Sequence, residues 1–160
     1  MNLYILRHGD ASQQSTDDAS RPLTSLGEQQ AEWAAKALRS SDVVIDLILS
    51  SPLLRARQTA DIVQRELKVH ELRQTDYLIP GTDDNKLMSE INSVSKSTIL
   101  LVGHEPHLSM FTSLLISGTK NSQIDIKKGG LLCLNMVVPI QPGAGTLKWL
   151  LKPEQMKIFQ

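Results

Sequence analysis

Leu3-Tyr4-Ile5-Leu6, Asp46 to Leu49 and Thr98-Ile99-Leu100-Leu101-Val102 are short, mostly apolar runs without the alternation of a half-buried strand. A strand wetted on one face alternates apolar and polar residues, whereas an unbroken run needs cover on both faces. Such strands sit in a mostly parallel sheet between two layers of helices, and each must be followed by a crossover before the next.

The intervening segments supply those crossovers. After a polar stretch from Gly9 to Arg21, Ser25 stands three residues before Glu28 as a capping-box pair. Leu26, Trp33, Ala34, Ala37 and Leu38 then follow at helical spacing. Ser51-Pro52 reads as an N-cap with proline at the first helical position, opening a helix to about Leu67. Lys68 to Leu72 reads as a further strand, Tyr77 to Asp84 as a loop, and Asn85 to Asn92 as a helix. Pro106 opens another helix that runs to about Ser117 and closes at Gly118. Leu131 to Val138 and Thr146 to Leu151, joined by Pro142-Gly143-Ala144-Gly145, form an antiparallel pair. The expected architecture is a three-layer α/β/α sandwich, one domain over residues 1–160, with an antiparallel element near the C-terminus.

Composition narrows the partners. Seventeen Lys and Arg balance seventeen Asp and Glu, so the basic excess of a dedicated nucleic-acid or anionic-membrane binder is missing. Cys133 is the only cysteine, which rules out a disulfide framework within one chain and suits a reducing cytoplasm. No basic leader precedes the first apolar run, and none of the runs approaches the ~20 residues of a membrane helix. A cytoplasmic monomer, without membrane or nucleic-acid contacts, is expected.

In open α/β sheets ligands bind beyond the C-terminal strand ends. The first strand ends in Arg7-His8-Gly9, the second leads into a helix whose first turn holds Arg55, and the fourth ends in Gly103-His104. Two histidines and two arginines therefore gather at one edge. Guanidinium groups fit phosphoryl oxygens because they are planar, permanently charged and bidentate. A neutral imidazole can attack phosphorus. Gly9 would let backbone approach a ligand where a Cβ obstructs it. At an effective dielectric of 20 a charge pair at 4 Å is worth roughly 4 kcal/mol, so local arginines hold a phosphoryl group despite the zero net charge.

Leu6-Arg7-His8-Gly9, Ser51-Pro52-Leu53-Leu54-Arg55-Ala56-Arg57-Gln58-Thr59-Ala60 and Val102-Gly103-His104 resemble, in order, three motifs of the histidine phosphatase superfamily. The short chain and Arg21-Pro22-Leu23-Thr24-x-x-Gly27 are similar to its SixA-type phosphohistidine phosphatases. The resemblance implies that His8 is the nucleophile, transiently phosphorylated, and that Arg7, Arg55 and His104 bind and polarise the phosphoryl group. Arg21 is a weaker fourth ligand and Glu105 a candidate general acid. No metal or cofactor is implied. The implied partner is a phosphohistidine-bearing protein, such as a phosphotransfer domain or carrier.

Two features bear on the substrate. An alkoxide leaving group gains from a general acid, whereas imidazole, with a conjugate-acid pKa of about 6.5, departs more readily. The interval Leu72 to Thr98 holds little beyond a loop and a helix, so no sizeable cap is expected and the pocket should be open. The alternatives are a small-molecule phosphomonoesterase using the same site, with Glu105 as acid, and a non-catalytic phosphohistidine-binding module. Among the other candidates, Arg21 could instead pair with Asp17 or Asp18, and Arg57 should face outward. His107, three residues beyond His104, lacks the companions of a zinc site.

Overall fold

The apolar runs form the centre of a six-stranded sheet in the computed structural model, which describes residues 1–159. The strands are β1 (Asn2–Arg7), β2 (Leu47–Ser50), β3 (Leu72–Gln74), β4 (Thr98–Gly103), β5 (Leu131–Met136) and β6 (Gly145–Leu151), in the spatial order β3-β2-β4-β1-β5-β6. β1 to β4 are parallel, while β5 runs antiparallel to β1 and β6 antiparallel to β5.

Period-two side-chain alternation divides the core. Tyr4, Leu6, Ile48, Leu100 and Val102 face α1 (Ser25–Ser40) and α2 (Leu54–Leu67) through Trp33, Ala34, Leu38, Ala56, Ala60 and Val63. Leu3, Ile5, Leu47, Leu49, Ile99 and Leu101 face the opposite side. There they meet α3 (Asp84–Ser93) and α4 (His107–Ser117) through Leu87, Ile91, Leu108, Phe111 and Leu115. These residues are almost fully excluded from water, which explains why the central runs carry no polar alternation. The result is the three-layer sandwich read from the sequence.

Several boundaries differ from the sequence reading. The cap of α1 is Thr24, whose hydroxyl accepts from Gly27 N–H at 3.1 Å, so Ser25 is the first helical residue and not the cap. α2 starts at Leu54, leaving Ser51 and Pro52 outside it. β3 begins only at Leu72, because Lys68 takes the left-handed conformation (φ 55°) that terminates α2. β5 stops at Met136, short of Val138. A terminal turn, α5 (Pro153–Met156), is too short for its periodicity to register; Met156 nonetheless packs fully buried against the α1 face.

The segment leaving β1 is pinned to the start of α1. Asp10 N–H donates to Gln30 Oε1 at 2.8 Å, and Thr24 Oγ1 donates to Asp10 Oδ2 at 2.9 Å. The backbones touch: a Cβ on Gly27 would stand 2.0 Å from Asp10 O. Helix propensity alone favours alanine over glycine by about 1 kcal/mol. Overpacking against an immovable carbonyl outweighs that, so Gly27→Ala should destabilise by roughly 3 kcal/mol in urea titration. A stabilised variant would contradict the close approach.

Candidate active site

Sheet register assembles the site. Arg7 pairs with Gly103 across β1 and β4, and Ser50 with Val102 across β2 and β4. The residues that follow, His8, His104 and Ser51, therefore emerge side by side. Neighbouring strands lie about 4.8 Å apart, and the His8 and His104 ring centroids are 5.0 Å apart. α1 and α4 leave toward opposite faces of the sheet, so this is the switch point at which open sheets bind ligands. His104 Nε2 shares a 2.8 Å hydrogen bond with Ser51 Oγ, a role for Ser51 that its reading as a helix cap misses.

The tautomer of His8 follows from its partners. Nδ1 lies 2.6 Å from Gly9 O, and a carbonyl only accepts, so Nδ1 carries the proton and the lone pair sits on Nε2. Arg55 Nε donates to that Nε2 at 3.2 Å. Burial, aided by the Arg55 and Arg7 charges, lowers the His8 pKa to about 4, although the Gly9 hydrogen bond opposes the shift. Burial lowers His104 to about 3, with His8 and Arg55 adding to it. Both rings are neutral at physiological pH, and a neutral ring is the nucleophilic form.

The same shifts set a pH dependence of stability. Each folded pKa lies below the ordinary 6.5, so between about 6.5 and 4 the unfolded chain binds more protons at these rings than the native one. Their stability contribution is complete above pH 7 and is lost as pH falls through that window, by roughly 2 kcal/mol per ring at pH 4.5. Urea titrations at pH 7 and 4.5 should show this, with the loss about halved in His8→Ala; equal midpoints at both pH values would contradict the burial.

Arg55 is 5% exposed, and each of its three guanidinium nitrogens donates a hydrogen bond. Besides His8 it donates through Nη1 to Asp18 O at 2.6 Å and through Nη2 to Asp18 Oδ2 at 2.9 Å. Thr59 lies one turn along α2; its Oγ1 donates to Arg55 O at 2.7 Å and accepts from Gly9 N–H at 3.2 Å, tying the helix to the loop that follows His8. Helical spacing from Arg55 could have revealed Thr59. Arg57 is exposed, as expected. Arg7 donates Nη1 to Ile126 O at 2.9 Å, and its buried Nε has no partner among the described residues.

The remaining candidates hold less direct positions. Arg21 donates to Ser12 O at 2.8 Å and pairs with Asp18 Oδ1 at 3.0 Å, so it joins the site through Asp18. Where Gly9 lacks a Cβ the structure places Gly27 O, 2.3 Å from that position. Gly9 thus packs backbone to backbone against the start of α1, and its carbonyl accepts from His8 Nδ1. Glu105 is half-buried, accepts from Ser109 N–H at 3.1 Å, and burial raises its pKa. The expectation of an open pocket needs correction in one respect: His8 is only 6% exposed, and the loop carrying Asp18 folds onto Arg55. His107 is buried against Asp84, with Nε2 2.8 Å from Oδ1. Among the described residues no three His, Cys, Asp or Glu side chains are grouped to hold a metal ion. No helix among them is long and apolar enough to cross a membrane.

Comparison with known proteins agrees with this geometry. The family model of the histidine phosphatase superfamily (branch 1) matches residues 3–79. An uncharacterised protein of Picosynechococcus sp. is 32% identical over 140 residues, covering 84% of each chain. The phosphohistidine phosphatase SixA of Escherichia coli K12 is 26% identical over 162 residues, covering 99% of this chain and 98% of its own. A solved structure of the protein histidine phosphatase SixA complexed with tungstate superposes with a TM-score of 0.86 at 25% identity, over 96% of this chain and 97% of the other. The strand-end histidines, the buried arginine on α2 and these full-length likenesses agree: the chain belongs to the histidine phosphatase superfamily and is SixA-like within it.

Proposed function

We propose that this phosphatase removes the phosphoryl group from phosphohistidine on a protein. The observation that carries the reading is the likeness to SixA over nearly the whole of both chains. Tungstate, bound in the SixA structure, is a tetrahedral oxyanion and stands in for phosphate. Between β3 and β4 lie a 3-10 turn, Asp76–Leu78, and α3, a short interval that supports a site without a sizeable cap. Arg7, Lys127, Lys128, Lys152 and Glu154 line a depression of about 550 Å³ flanking the site, with Lys127 paired to Asp125 and Lys128 to Asp10.

In this reading His8 Nε2 attacks phosphorus and a new N–P bond forms as the substrate's N–P bond breaks. With its other nitrogen protonated, the substrate ring takes the electron pair and leaves as neutral imidazole. Water then attacks phospho-His8, and the Nδ1 proton held on Gly9 O lets His8 leave as neutral imidazole too. Arg7 and Arg55 offset charge on the transferring oxygens. Neither departure requires a separate acid.

A second reading, a small-molecule phosphomonoesterase, is favoured by Glu105, whose raised pKa keeps a larger protonated fraction available to an alkoxide. Phosphate release from a histidine-phosphorylated carrier and from a panel of phosphate esters separates the two. The first reading expects preferential turnover of the carrier, and Glu105→Gln lowering its rate less than about threefold. Efficient ester turnover, falling ~100-fold in Glu105→Gln, would establish the second instead.

A further inference from the structure

The His8 Nε2 lone pair is capped by Arg55. Arg55 Nε–H points at the His8 Nε2 lone pair from 3.2 Å, and a phosphorus poised for attack needs that same position, about 3–3.5 Å from the nucleophile. Arg55 must therefore move aside before a phosphoryl group can bond to His8. What holds it is Asp18, by its carbonyl at 2.6 Å and its carboxylate at 2.9 Å.

The carboxylate also behaves as an oxyanion ligand does. Its two oxygens engage two different guanidinium groups, Oδ2 on Arg55 and Oδ1 on Arg21 at 3.0 Å. Both arginines and their hydrogen bonds hold its pKa below the usual carboxylate range, so it remains charged. The two partners differ sharply in exposure: the Arg55 side chain is 6% exposed and the Asp18 side chain 63%. Asp18 can swing into water without burying or stranding a charge, whereas Arg55 cannot.

We propose that Asp18 is a built-in competitor of the phosphoryl group, latching Arg55 across His8 and giving way when an incoming oxyanion takes its place on Arg55. The inference deepens the reading of the site as phosphoryl-binding but does not depend on which phosphorylated substrate is used. Asp18 then sets affinity: ligand binding must offset loss of the carboxylate's contacts with Arg55, which discriminates against weak anions.

Titration calorimetry with inorganic phosphate and with tungstate, on the wild type, Asp18→Asn and Asp18→Ala, tests this. Both variants are expected to bind each oxyanion about tenfold more tightly, since an exposed charged partner of Arg55 no longer competes. In an Arg55→Ala background the gain should vanish, showing that it runs through that guanidinium. Nitrogen-15 NMR of His8 should show the Nε2 hydrogen bond from Arg55 weakened in Asp18→Ala, which removes the carboxylate contact and keeps the backbone one. Unchanged or weaker oxyanion binding in both variants would overturn the latch and leave Asp18 as a support for Arg55. Tighter binding together with no turnover of any phosphohistidine substrate would uphold the latch while refuting the proposed substrate.

Discussion

His8→Ala should lower turnover of a phosphohistidine protein by roughly 10⁴-fold or more while leaving the fold intact. In the proposed mechanism the covalent route runs through His8, so its loss removes that route and the neighbouring groups have no intermediate to act on. The fold should survive because the His8 backbone is held independently: His8 N–H donates to Gly103 O at 3.0 Å and Gly129 N–H to His8 O at 3.0 Å. Steady-state kinetics beside a thermal melt at pH 8 separate the two effects. Activity within tenfold of wild type would remove His8 from the chemistry.

Arg55→Ala should cost about 10²–10³ in kcat/KM, the usual scale for removing one charged donor to a transition state. The donor supplies charge and a planar fork of N–H groups together, from the first turn of α2 beside His8. Lysine, a point charge without that fork, should restore less than a tenth of the loss in Arg55→Lys. Stability should change by no more than ~2 kcal/mol, because the abandoned Asp18 is largely in water and keeps Arg21. An Arg55→Ala enzyme with kcat/KM near wild type would contradict the placement of this guanidinium.

The core of the site was legible because it hangs on sheet register. Unbroken apolar runs announce parallel strands, parallel strands end at one edge, and so His8, His104 and the α2 arginine could be brought together before any distance was known. Asp18 could be read only as a local partner for Arg21. Its bonds to Arg55 span 37 residues and depend on the path of a polar loop that has no periodicity. A sequence does not tell which backbone comes near Gly9; the close neighbour is Gly27. The Ser25 and Thr24 capping patterns overlap by one residue, and only the Gly27 N–H geometry decides between them. The onset of β3 was set by a left-handed Lys68, a residue type that gives no warning of that conformation.

The proposed mechanism requires a covalent phosphoryl group at His8. Rapid mixing of the enzyme with phosphohistidine protein, an alkaline quench within milliseconds and peptide mass spectrometry would look for it directly, since phosphohistidine survives base and is lost in acid. A burst of phosphate-bearing enzyme, with the added mass on the peptide containing Arg7-His8-Gly9 and none in His8→Ala, is the predicted result. Phosphate release at full rate with no phosphorylated enzyme at any quench time, or with the phosphate on His104 instead, would contradict it.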